Sequence, residues 1–244
     1  MLAFAALLAL TGAPEQAAQP SCPHLSGAEM VLADQSKRYV IVGERHGTNE
    51  IPALFSDLVC AAASIGPVVV GLEIEADQQK SLDEYMASEG DQAARDELLA
   101  QRHWGYTDGR ASQAMFQVVE NLRLLRQKGK QILLRALMPA ADTPEARELG
   151  MGMAWKQSLG GNENAKLLML VGSVHAEREP LGRFIPAAHS LPASETITLS
   201  YFPSDSRAIS REVPAQFRWP RFNMWYSVGR PFTSSPRAKP GVSR

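Results

Sequence analysis

Apolar residues follow two rhythms along this chain: short unbroken runs of strand length, and longer stretches with apolar positions every three or four residues. The first run, YVIV at 39–42, predicts a strand that meets Gly43. Leu54, Leu58, Ala61 and Ile65 then share one face of a helix, with Pro52 tolerated only in its first turn. The β-branched run in GPVVVGLEIE (66–75) suits a second strand covered on both faces. Residues 77–102 are polar and helix-favouring, and HWGYTDGR (103–110) breaks the pattern. Met115, Val118, Val119, Leu122 and Leu125 mark the inward side of another helix. KGKQILLRAL (128–137) predicts a third strand, 143–159 a helix, LLMLVGSVHAERE (167–179) a fourth strand, and TITLSYF and NMWYSVG two late ones.

Strands alternating with helices predict an α/β fold: a central, mostly parallel sheet with helices on both faces, and ligands beyond the carboxyl ends of the strands. At 244 residues, 45% apolar and 21% charged, the chain has enough apolar surface for one substantial core. The expected organisation is a leader over 1–20, a single domain over 21–232 and a flexible Pro-, Ser- and Arg-containing tail over 233–244.

The opening MLAFAALLALTGAPEQAAQP has an apolar run of signal-peptide length without a basic n-region, as a start placed too late or a short anchor would give. It is shorter than the roughly 20 residues a membrane span needs, so export to the periplasm or beyond is expected, with no stable span. In an oxidising compartment Cys22 and Cys60 could pair and tie the N-terminal segment to the first helix; two unpaired thiols are the alternative. A net charge of −1, with Lys and Arg scattered, argues against nucleic acid as a partner and leaves a small-molecule or peptide substrate.

Charged residues gather at the predicted strand exits. Glu44 and His46 follow the first strand, Glu73 and Glu75 end the second, and His175 and Glu177 end the fourth. Gly43-x-x-His46 and Gly172-x-x-His175 share one spacing, each glycine directly after an apolar run. The glycine permits a turn or the close approach of a ligand, and if the two strands are neighbours the histidines converge. Glu73 and Glu75 share a face of their strand, and a carboxylate buried there requires a His, an Arg or a cation beside it. Arg110, in TDGRAS, is a candidate clamp for an anion or carboxylate; His103 and Trp104 are candidates to line the mouth. Ser173 lies beside His175, but the chain has no Gly-x-Ser-x-Gly elbow, no phosphate loop and no dinucleotide fingerprint.

GERHGTNEIPALF, the acidic end of VVVGLEIE and LVGSVHA resemble, in the same order, the pattern of the superfamily that holds ChaN-like haem-binding proteins, Tiki-type metalloproteases and erythromycin esterases. The similarity extends through HWGYTDGRASQAM and NMWYSVGRPFTSSP, so it covers most of the chain after the leader. The resemblance implies the same α/β fold and three different chemistries on it. From the esterases it implies His46 as a base activating water, assisted by Glu44 and by Glu73 or Glu75. From the Tiki proteins it implies a divalent metal at the two Gly-x-x-His motifs, and from the ChaN-like proteins haem. The erythromycin esterases have one more residue between Gly and His in the first motif and a helical subdomain that this chain has little room for. A haem-ligating Tyr has only Tyr85 and Tyr106 as candidates in the intervening region.

The sequence therefore predicts an exported hydrolase of ester or amide bonds. His46 takes a proton from water, Glu44 or Glu73 orients it, and His175 completes either a metal site or the oxyanion side, with Arg110, Glu75 and His103 at the substrate. An imidazole near its ordinary pKa of about 6.5 suits base catalysis at neutral pH. A metal held by His46, His175, Glu44 and Glu73 would be zinc, manganese or iron. The alternative is a haem- or iron-binding protein of the ChaN type without turnover. Oligomeric state is not encoded in any of these features.

Overall fold

β1 (Tyr39–Glu44) is buried along its whole length, which an apolar run can satisfy only in the interior of a sheet. The computed structural model, which describes residues 22–201 and 224–228, puts it there. Around it lie α1 (Ala28–Leu32), α2 (Glu50–Ala63), β2 (Val68–Glu75), α3 (Gln79–Ala87), α4 (Gln92–Leu99), α5 (Gln113–Gln127), β3 (Ile132–Met138), α6 (Pro144–Ser158), β4 (Lys166–Gly172), β5 (Thr196–Tyr201) and β6 (Met224–Val228). The sheet runs β3-β2-β4-β1-β5-β6; the first five strands in that order are parallel and β6 joins β5 antiparallel at the edge. The expected α/β architecture is thus present.

Alternation along the strands feeds two cores. Val40, Val42, Val70, Leu72, Leu168 and Leu170 face α2, α3 and α5, where Leu54, Phe55, Leu58, Val118 and Leu122 meet them. Ile41, Val69, Leu167, Met169 and Val171 face α6, whose Met151 and Trp155 are fully buried. Each such side chain contributes about 1.5–3 kcal/mol of transfer free energy. Both cores are therefore needed to hold the central strands.

Several expectations shift in detail. The polar, helix-favouring stretch 77–102 holds two helices: Gly90 takes φ +68° and Asp91 caps α4 by accepting from the Ala94 amide, turning the chain between α3 and α4. Ile65 falls beyond α2 and is exposed, and Ile51, Phe55 and Val59 share the inward side with Leu54 and Leu58. β4 stops at Gly172, so His175 and Glu177 sit in the turn after it, where the His175 amide bonds to the Gly172 carbonyl. Arg110 precedes α5, which starts after its Ser112 cap. Cys22 and Cys60 form a disulfide, tying the segment before α1 to α2. The predicted leader and tail lie outside the described residues. Among those residues no helix is long and apolar enough to cross a membrane.

Candidate active site

β1, β4 and β2 lie side by side, with Glu44 paired in register to Gly172, so their carboxyl ends deliver side chains to one place. His46 Nδ1 is 2.9 Å from Glu44 Oε1, and His175 Nδ1 is 2.8 Å from the carboxylate of Glu148. In the neutral rings this places the proton on each Nδ1 and leaves each Nε2 lone pair free. Both Nε2 atoms turn to Glu73: His46 is 3.6 Å from Oε2 and His175 is 3.7 Å from Oε1. Glu73 Oε2 also accepts from the Gly172 amide at 2.8 Å. The Gly172 amide thus supplies the hydrogen-bond donor that a buried carboxylate demands.

The two motif glycines, expected to permit a turn or the close approach of a ligand, make room for each other's motif. A Cβ on Gly43 would lie 3.0 Å from Ser173 Cα and Ala176 Cβ, in the turn after β4. One on Gly172 would lie 2.9 Å from His46 Nε2. Past His46 the chain turns at Gly47, φ +83°, where it meets a second loop at Gly109, φ +94°. A Cβ on Gly109 would come within 2.4 Å of the Gly47 amide nitrogen, so the two backbones touch.

That second loop carries Arg110. Its Nε and Nη2 donate to Asp108 at 2.9 and 2.7 Å, its carbon lies 4.9 Å from the centroid of the Tyr106 ring, and Nη1 points to Glu73 Oε1 at 3.7 Å. The guanidinium is already engaged, and its inward side serves Glu73. Glu75 and His103, expected at the substrate, pair with each other: His103 Nδ1 is 3.0 Å from Glu75 Oε2, and the ring is buried.

Burial pulls the His46 pKa down, but its hydrogen bond to Glu44 and the charge of Glu73 together outweigh burial and the nearby Arg110, so it is raised above the ordinary value. Glu75 is lowered: burial pushes it up, and hydrogen bonds from Tyr106 and His103 more than offset that.

Of the residues predicted for catalysis, His46, Glu44, Glu73 and His175 come together. Glu148 was missed, although it has a signal: it lies three and seven positions before Met151 and Trp155, on the inward face of α6. Its carboxylate also accepts from the Ala187 amide at 3.0 Å. Asp108 was likewise unassigned, and Tyr106, named only as a candidate haem ligand, lies under the Arg110 guanidinium.

Two imidazoles backed by carboxylates and turned to a third carboxylate are donors that divalent metals use. As arranged, however, no three His, Cys, Asp or Glu side chains among the described residues form a group that could hold a metal ion. The Tyr85 hydroxyl, a candidate haem ligand, is buried and donates to Glu120 at 2.7 Å. A separate cavity of about 380 Å³ opens at the opposite end of the sheet, beside Arg38 and Lys166, and contains none of these residues.

No family model matches the chain, and no curated protein matches it. Among solved structures, the type III effector HopBA1 superposes with a TM-score of 0.50 at 17% identity, over 77% of this chain and 88% of that one. A bacterial protein toxin structure gives 0.49 at 18% identity over 75% of this chain, and RRSP, a MARTX toxin effector domain from Vibrio vulnificus CMCP6, gives 0.47 at 16% over 72%. The chain spans 37% and 35% of those two. The HopBA1 likeness concerns the fold alone.

Proposed function

We propose that the protein is an exported hydrolase of ester or amide bonds, on the frame shared by the ChaN-like, Tiki and erythromycin esterase-like proteins that its motifs resemble. The observation that carries this reading is the pair of carboxylate-backed imidazoles with both Nε2 atoms on one carboxylate. His46 Nε2 takes a proton as water attacks the acyl carbon, and Glu44 keeps the ring in the tautomer that can accept it. Glu73, held by the Gly172 amide, orients the water. His175, when protonated and backed by Glu148, offers an Nε2–H to the developing oxyanion. The carbon–oxygen or carbon–nitrogen bond then breaks, and the proton held by His46 passes to the leaving group. The disulfide supports an oxidising compartment, periplasmic or extracellular.

A second reading, a zinc, manganese or iron site on His46, His175 and the adjacent carboxylates Glu44 and Glu73, rests on donor chemistry alone. The same frame admits an iron- or haem-binding protein without turnover. One experiment separates the readings: hydrolysis of a panel of aryl esters and peptide amides by the mature protein and its His46→Ala and His175→Ala variants, with elemental content and visible absorbance measured on each. The hydrolase reading expects turnover in the wild type and a loss of about 10²–10⁴-fold in His46→Ala with the fold intact. Absence of turnover together with retained iron or a haem spectrum would replace it. Stoichiometric metal lost in both variants would make His46 and His175 ligands of one metal site, where the metal would supply Lewis-acid chemistry in place of a general base.

A further inference from the structure

Beyond Glu73, β2 presents Glu75, and it organises the neighbouring loop. His103 Nδ1 is 3.0 Å from Glu75 Oε2, the ring is 1% exposed, and its Nε2 is buried without a hydrogen-bond partner. Among the described residues, the only hydrogen bond of this imidazole ring therefore goes to Glu75. His103 and Tyr106 pack edge to face with centroids 5.7 Å apart. Tyr106 in turn forms the shelf under Arg110, 4.9 Å from guanidinium carbon to ring centroid, and Arg110 reaches Glu73 at 3.7 Å.

Asp108 also grips Arg110, but its side chain is 48% exposed, and a solvent-facing ion pair is a weak restraint on a long side chain. The half-buried Tyr106 ring supplies a second restraint, across the guanidinium face. Among the described residues, no hydrogen bond or ion pair joins Glu75, His103 or Tyr106 to either site histidine, so none of them belongs to the reacting group.

We propose that Glu75 is a positioning residue that acts through His103 and Tyr106 to hold the Arg110 guanidinium against Glu73. This rests on the reading of the Glu73 cluster as the reactive centre, but the arrangement itself can be tested without turnover. It also changes the expected role of Glu75 and His103: they set a charge beside the substrate and do not contact it.

The test is side-chain ¹⁵N NMR of the Arg110 Nε–H in the full chain, with solvent exchange compared among wild type, Glu75→Gln, Tyr106→Phe and Tyr106→Ala, and the backbone spectrum used to verify the fold. Exchange should rise several-fold in Glu75→Gln and Tyr106→Ala, and less in Tyr106→Phe, which keeps the ring but not the hydroxyl. Wild-type exchange in both Glu75→Gln and Tyr106→Ala would assign Arg110 to Asp108 alone and overturn the proposal. With an ester that the wild type hydrolyses, Glu75→Gln and Arg110→Ala should lower kcat/KM by similar factors, and the double variant no further. Additive losses would count against the proposal even if the hydrolase reading stands, whereas absence of any hydrolysis would leave the exchange result decisive.

Discussion

Gly172 lies so close to His46 that a Cβ there would be 2.9 Å from Nε2, the atom assigned to take the proton. The neighbour is the far end of a rotatable side chain, so the imidazole can give way while the strand stays in place. Gly172→Ala should therefore leave the melting temperature within a few degrees of wild type. Displacing the base by about 1 Å should lower kcat about 10²-fold. Thermal melts paired with ester turnover check this, and a variant with full activity would mean that Nε2 is not the reacting atom.

His46 titrates above its ordinary value, so activity that requires the neutral ring should fall on the acid side with a midpoint above about 6.5. Glu44→Gln removes the largest raising influence and should move that midpoint down. The linkage has a definite sign. A raised pKa means the fold favours the protonated ring, so His46 contributes stability in full below about pH 6.5 and loses it as pH rises through the folded value. Denaturant unfolding of wild type and His46→Gln at pH 5.5 and 8.5 should show the larger difference at the lower pH.

Glu148 is buried, and its carboxylate holds both His175 Nδ1 and the Ala187 amide. Glu148→Gln retains an acceptor but not the charge that supports an imidazolium, and it should cost about 10–100-fold in kcat, the range seen when outer-shell partners of a functional His are removed. The KM for the same substrate should change little, and a change confined to KM would place His175 in binding.

Away from the site, Glu120 accepts from Tyr85 at 2.7 Å and from Arg123 at 2.8 and 2.9 Å, joining α5 to α3. Glu120→Ala strands the Arg123 guanidinium, which is 2% exposed, and should destabilise the protein by about 3–5 kcal/mol. Tyr85→Phe, which removes one hydrogen bond, should cost only about 1 kcal/mol. Urea titrations distinguish the two.

Reduction of the Cys22–Cys60 bond frees a segment that closes over a sequence separation of 38. Loop-closure entropy puts the loss near 4 kcal/mol. Melting with and without reductant, with Cys60→Ser as the control, should show a lower transition in both reduced and substituted protein.

The strands and their order of succession were legible because buried parallel strands announce themselves as unbroken apolar runs, as at 68–70 and 167–171. The convergence of His46 and His175 was legible only as a condition, since the pairing of β1 with β4 is a long-range choice that no local pattern reports. Glu148 escaped because one acid on a helix with several charges looks like surface, and only the phase of Met151 and Trp155 turns it inward. Glu75 and His103 were identified as belonging to the region, but their burial depends on how the 102–110 loop folds back, which sequence spacing does not encode.

The contact between Gly47 and Gly109 has a mechanical consequence. Because the backbone that carries His46 abuts the backbone that carries Arg110, a Cβ on Gly109 would drive the two loops apart and carry both side chains with them. At Gly47 the same contact would be an ordinary 3.8 Å, and there it is the left-handed backbone, φ +83°, that resists a side chain.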